Sequence, residues 1–160
     1  MNLLKAMSSH EYDTYIKNKI ERYSATLHEN TYEATTESCY LRAEKAINGY
    51  LPEGFKTKHH EFYIINEQNE DVGHVWIKID EQKKSAFLYE IFLVESARSK
   101  GIGKRVMEES EILLVKRNVE FFKLHVFGSN EPAIRLYNYL GFEIAGINMY
   151  KMISSNHQTT

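Results

Sequence analysis

The chain has few of the features that mark secreted, membrane-spanning or nucleic-acid-binding proteins. A single cysteine, Cys39, stands among 160 residues. No disulfide can form within the chain, and with no His and acid partner adjoining it Cys39 is read as a buried or bystander thiol. No apolar run approaches the ~20 residues of a bilayer span, and no basic segment followed by an apolar one opens the chain, so a soluble, cytoplasmic protein without a membrane partner is expected. Charge of one sign is also scarce: 20 Lys and Arg face 22 Asp and Glu, a formal net charge of -2. That leaves no broad basic field for nucleic acid. Repeats and low-complexity segments are missing, apart from a polar tail at residues 154–160 that is expected to be disordered. Residues 1–153 suit one domain with a core of its own. His59, His60, Glu61 and His74 gather near one hairpin, but no second cluster stands at ligand spacing, so no metal site is expected.

The most informative stretch is residues 87–105, FLYEIFLVESARSKGIGKR. Phe87, Leu88, Tyr89, Ile91, Phe92, Leu93 and Val94 form an aromatic and β-branched run broken only by Glu90, which reads as a buried strand carrying one carboxylate. After a short polar turn, Gly101, Ile102 and Gly103 open a segment in which Ile102, Val106, Ser110 and Leu113 recur at helical spacing. Arg98, Lys100, Lys104 and Arg105 surround the two glycines. The first amides of a helix have no internal partner and carry the positive end of the macrodipole, so an anion, phosphate above all, fits there. The rival phosphate motifs fit poorly. No second glycine lies four residues upstream and no Ser or Thr follows Lys104, against a P-loop, and a third glycine is missing for a dinucleotide turn. On its own the glycine pair reads first as a tight strand-to-helix turn with a solvated basic rim.

A second motif lies at residues 130–142, NEPAIRLYNYLGF. Asn130 is a good N-cap and Pro132 sits in the first turn; Ala133, Leu136, Tyr137 and Leu140 share one face, and Gly141 can end the helix. Together, Arg98, Ser99, Lys100, Gly101, Ile102 and Gly103, followed by Asn130, Ala133, Tyr137, Gly141 and Phe142, resemble the two signature motifs of the GNAT family of acyl-CoA N-acyltransferases. The first resembles that family's (Arg/Gln)xxGx(Gly/Ala) pyrophosphate loop and the second its NxxAxxxYxxxGF helix. The likeness is firmest over residues 60–152 and looser over the first third.

The other segments supply the remaining elements. Residues 2–6 suit a short strand, after which Ser8 and Glu11 form a capping box for a helix with Tyr12, Ile16, Ile20, Tyr23 and Leu27 on one face. A second helix is expected over residues 36–50. Residues 62–65 and 72–79 flank a polar turn as a hairpin; further strands are expected at 121–127 and 142–152. The expected fold is α+β, the GNAT fold, a mixed and mostly antiparallel sheet of six or seven strands flanked by about four helices, with the central strands splayed.

The resemblance implies an acetyl-CoA-dependent N-acetyltransferase, with acetyl-CoA as acyl donor, no metal, and an amine of a small molecule or peptide as acceptor. By the same resemblance, backbone groups of Phe92, Leu93 and Val94 hold the acyl-pantetheine arm, and amides from Lys100 to Lys104 take the pyrophosphate, Ser99 being part of that loop. Arg98, Lys104 and Arg105 reach other phosphates, Asn130 contacts the arm near the thioester, Ala133 belongs to the same coenzyme-facing helix, and Tyr137 is the general acid. Glu90 is the candidate base, because a carboxylate in an apolar strand is costly unless it is solvated or paired. An ion-pair role, His125 or water are the alternatives. Tyr32, Glu29, Glu33 and Glu37 either meet a cationic amine, such as a polyamine or amino sugar, or are solvated helix ends. A non-catalytic coenzyme sensor and a homodimer through residues 142–152 stay open.

Overall fold

Ser8 begins the first long helix with a reciprocal cap: its hydroxyl accepts the Glu11 N–H at 3.1 Å while the Glu11 carboxylate accepts the Ser8 N–H at 2.9 Å. Helix α1 then spans Ser9–Glu29 and α2 spans Cys39–Tyr50. The second helix starts later than residue 36 because Ser38 is its N-cap, its hydroxyl accepting the Leu41 N–H. The computed structural model describes residues 2–153; the polar tail expected to be disordered, 154–160, lies outside them.

Strands β1 (Leu4–Ala6), β2 (His60–Glu67), β3 (Glu70–Asp80), β4 (Ser85–Leu93) and β5 (Phe121–Leu124) lie in that spatial order. The first four pair antiparallel, and β4 pairs parallel with β5. Helix α3 (Ile102–Lys116) makes the crossover from β4 to β5, and α4 (Glu131–Tyr139) follows β5. The sheet is mixed and mostly antiparallel, flanked by four helices among the described residues. Among the described residues it has five strands instead of six or seven. Residues 142–152 do not form the expected final strand. Apolar residues mark strand propensity only, and the free edge of β5 is just four residues long, stopping at Leu124 instead of Phe127. Ile144, Ile147, Met149 and Met152 are left exposed, and Tyr150 stacks on Tyr32 with ring centroids 3.9 Å apart.

The sheet divides the interior into two cores. On one face Val75, Ile77, Leu88 and Ile65 pack with Ile102, Val106, Met107 and Leu114 of α3; on the other, Phe62, Ile64 and Trp76 pack with Tyr12, Tyr15 and Ile20 of α1 and Ala43 and Ile47 of α2. A β-bulge interrupts the alternation of β4: Trp76 is opposite Glu90 while Ile77 is opposite Leu88, so Tyr89 is the extra residue. The bulge turns Tyr89 and Glu90 to the same face. Tyr89 stacks on Trp76 at 4.5 Å, and Glu90 meets α1.

Gly73 decides how close β3 and β4 can lie. A Cβ at this position would sit 2.0 Å from the Phe92 carbonyl oxygen and 3.1 Å from the Leu93 Cα. Both are backbone atoms and cannot move aside cheaply. Gly73→Ala is expected to destabilise the fold by about 1–3 kcal/mol through overpacking, seen as a lower thermal midpoint; an unchanged midpoint would show that β4 is free to shift.

Trp76 supplies a pH probe. Its indole Nε1–H donates to Nδ1 of His60 at 2.9 Å, and burial, with Lys78 and His59 nearby, lowers the His60 pKa to about 4. The unfolded chain takes up this proton more readily, so stability falls as pH drops from 6.5 toward that value. The emission of Trp76, the only tryptophan, should change with a midpoint near pH 4, and His60→Gln should abolish the transition.

Candidate active site

The site opens where two neighbouring strands part. Pairing of β4 with β5 covers only Ser85 to Leu88 against Phe121 to Leu124, so residues 89–93 of β4 have no strand on that side. Val94 N–H donates to Val72 O at 2.9 Å, and alternation along an antiparallel ladder then turns the main-chain groups of Phe92 toward β3 and those of Ile91 and Leu93 toward the gap. Of the three residues expected to offer backbone to a bound arm, Leu93 is therefore the one that faces the opening. Ile91, not singled out in the sequence, joins it. Arg98 curls back so that its Nε donates to Leu93 O at 2.9 Å.

Beyond this edge the chain bends through Ser99 (φ 61°) and Gly101 (φ 80°), both left-handed. Gly101 is the N-cap of α3 and offers no side chain to cap it. The first helical bond runs from Arg105 N to Gly101 O at 3.2 Å, and none of the amides of residues 99–104 has an acceptor among the described residues. No heavy atom lies within 4 Å of a Cβ built on Gly101, and the nearest to one on Gly103 are at 3.8 and 3.9 Å. A row of unpaired N–H groups at a helix N-terminus, with room in front of it, is a cradle for an anion.

The basic side chains nearby are largely committed elsewhere. Lys104 Nζ lies 3.2 Å from the Tyr139 hydroxyl on α4, and Arg105 makes a bidentate pair with Glu67 at 3.0 and 2.8 Å. Lys100 is exposed at a hollow of about 440 Å³ between the loop and the β2–β3 turn. The cradle is thus built chiefly of main chain, the amides expected to take a pyrophosphate, while the Lys104 and Arg105 side chains expected to reach other phosphates are paired with Tyr139 and Glu67.

Helix α4 brings the second motif to the same region. Asn130 caps it, Oδ1 accepting the Ala133 N–H at 3.3 Å. Tyr137 packs on the α3-side core, as Ile91 and Leu93 do, and meets Phe142 edge-on at 5.6 Å. Burial raises its pKa above 10.0. Its hydroxyl has no hydrogen-bond partner among the described residues, so it is a protonated phenol with a free donor.

Glu90 is bound on every side. One oxygen accepts from the Tyr15 hydroxyl at 2.8 Å and from Arg22 Nη2 at 2.9 Å; the other faces Arg22 Nε at 3.3 Å and Lys19 Nζ at 3.4 Å. Burial pushes the carboxyl up, but Lys19, Arg22 and Tyr15 outweigh it and hold it below 4.5. A carboxylate so held is a weak proton acceptor. The alternative, His125, sits just past β5, exposed and edge-on to Phe127. Tyr15, Lys19 and Arg22 were not singled out in the sequence, although positions four and three apart place them on one stripe of α1. Of the acidic residues read as meeting an amine, Glu29 and Glu33 are exposed and Glu37 pairs with Lys45. Among the described residues no three His, Cys, Asp or Glu side chains converge as a metal would require.

Residues 20–142 match the Acetyltransferase (GNAT) family. The chain belongs to that family. YdgE, an uncharacterized N-acetyltransferase of Bacillus subtilis strain 168, is 30% identical over 122 residues, which are 74% of this chain and 78% of YdgE. YycN, likewise an uncharacterized N-acetyltransferase of that strain, is 27% identical over 157 residues, 94% of this chain and 98% of its own. The crystal structure of YycN superposes with a TM-score of 0.86 at 25% identity, covering 95% of this chain and 98% of that one. The protein is thus a GNAT N-acetyltransferase with acetyl-CoA as its donor, and no helix of the described residues is long and apolar enough to cross a membrane. The unpaired edge of β4 and the free amides of residues 99–104 fit such a donor, one offering peptide-like hydrogen bonds to an arm and the other a seat for phosphate.

Gly103→Glu tests that cradle. A carboxylate near a helix N-terminus suits the helix itself, so the fold should persist. Acetyl-CoA affinity measured by calorimetry should drop at least ~10-fold, about 1.4 kcal/mol, and undiminished affinity would place the phosphates elsewhere.

Proposed function

We propose that the enzyme acetylates a primary amine of a small molecule or peptide by direct attack within a ternary complex. The observation that carries this reading is the unpartnered Tyr137 hydroxyl, whose ring packs on the same buried core as Ile91 and Leu93 of the open β4 edge. Acetyl-CoA supplies the activated acyl group as a thioester. The amides of residues 99–104 seat its pyrophosphate, and the gap-facing main chain of Ile91 and Leu93 orients the arm. Asn130 and Ala133 present the first turn of α4 to the arm. Tyr137 holds its proton at neutral pH and delivers it from the phenolic oxygen to the departing sulfur. Glu90, fixed by two cations, acts as an electrostatic anchor for Lys19 and Arg22, and the proton of the amine leaves to water.

Removal of the phenolic proton should separate chemistry from binding. In Tyr137→Phe, kcat is expected to fall about 10²-fold or more, while acetyl-CoA affinity by calorimetry stays close to that of the parent. Equal turnover would remove Tyr137 from the mechanism.

A further inference from the structure

On the α1 face of β4, two cations hold one carboxylate and a third lies near them. Arg22 and Lys19 both hold Glu90, with Arg22 at 2.9 Å and Lys19 at 3.4 Å. The Arg22 guanidinium also lies 3.9 Å from the centre of the Phe92 ring, and that of Arg98 lies 5.7 Å from the same ring. Phe92 is in the part of β4 that β5 leaves uncovered, so this cluster borders the gap.

The other titratable groups here do not offset the surplus. Tyr15 is held neutral by burial and by its bond to Glu90. His74 stacks on Phe92 and packs on Tyr15, and burial together with Arg22 lowers its pKa, so it is neutral at pH 7. Its Nδ1 is buried with no hydrogen-bond partner among the described residues. Asp71, bonded to the neutral Asn66 amide at 2.7 Å, and Glu11, in the α1 cap, stay charged and act on His74, but neither lies within ion-pair distance of Arg22 or Lys19. Among the described residues, Nη1 of Arg22 and most of the Lys19 donors have no partner. The two side chains are only 25% and 13% exposed, so water screens them little and an anion entering here would be strongly attracted.

We propose that this cluster is the acceptor subsite and that the amine acetylated carries an anionic group, a carboxylate or a phosphate, held by Arg22 and Lys19. Polyamines and amino sugars, the cationic acceptors the glutamates of the first third suggested, are disfavoured by the same charges. The inference rests on the acetyl-transfer reading, and it names the acceptor class for that reaction.

The test measures acetyl-CoA-dependent thiol release with matched amines in the Cys39→Ser background: amino acids, their amides, phosphoethanolamine, ethanolamine and spermidine. The acidic amines should exceed their neutral counterparts at least tenfold in kcat/KM. The amino acids and phosphoethanolamine between them tell carboxylate from phosphate. Arg22→Gln should raise KM for the acidic amines and erase the preference, and Arg22→Lys, which keeps the charge, should retain much of it. In parallel, N-acetyl amino acids and N-acetylphosphoethanolamine should raise the melting temperature of the parent protein but not of Arg22→Gln. Preferred turnover of spermidine, or equal turnover of acids and amides, would overturn the anion subsite and leave acetyl transfer standing. No turnover of any amine, with the Arg22-dependent thermal shift intact, would overturn small-amine acetylation and support the anion subsite.

Discussion

The structure depends on how β4 is held: tightly along one side and along only half of the other. The close approach at Gly73 keeps the Phe92 carbonyl bonded into β3 while the β5 side ends at Leu88. An open edge in mid-sheet is a liability, because unpaired N–H and C=O groups invite any passing strand. Here the edge is short, residues 89–93 of β4 alone. The same edge that would be hazardous on a surface becomes a place where a peptide-like ligand completes the ladder.

A second constraint follows from the bulge at Tyr89. Regular alternation would send Tyr89 and Glu90 to opposite faces, one of them into the apolar α3 core. The extra residue brings both to the α1 side, where Glu90 finds Tyr15, Lys19 and Arg22. Burying that carboxylate is costly on its own. The two cations offset the cost, and because they outnumber it the cluster remains net positive.

Much of this arrangement was legible in the sequence, because its signals are local. The capping box at Ser8 and Glu11, the hairpin turn between β2 and β3, the Asn130 cap and the glycine pair that opens α3 each depend on a few neighbouring residues. The two glycine and tyrosine motifs carried the family. What escaped was tertiary. Nothing local shows that Arg105 prefers Glu67, that Lys104 turns to Tyr139, or that the partners of Glu90 come from a helix some seventy positions earlier in the chain. Gly73 was visible as a glycine inside a strand pattern, a recognised mark of close backbone approach, but the atom it approaches belongs to another strand. The final strand was misjudged for a related reason: the apolar residues of 142–152 say that a strand could form, not that the four-residue edge of β5 will pair with it.

The sheet lies between two separate cores, α3 against one face and α1 with α2 against the other. Side chains on opposite faces of a sheet share few contacts, so substitutions in the two layers should combine almost additively. Such a wall lets a lineage retune one layer without disturbing the other. The helices around Lys19 and Arg22 can drift toward new acceptors while the glycine loop goes on serving an unchanging donor.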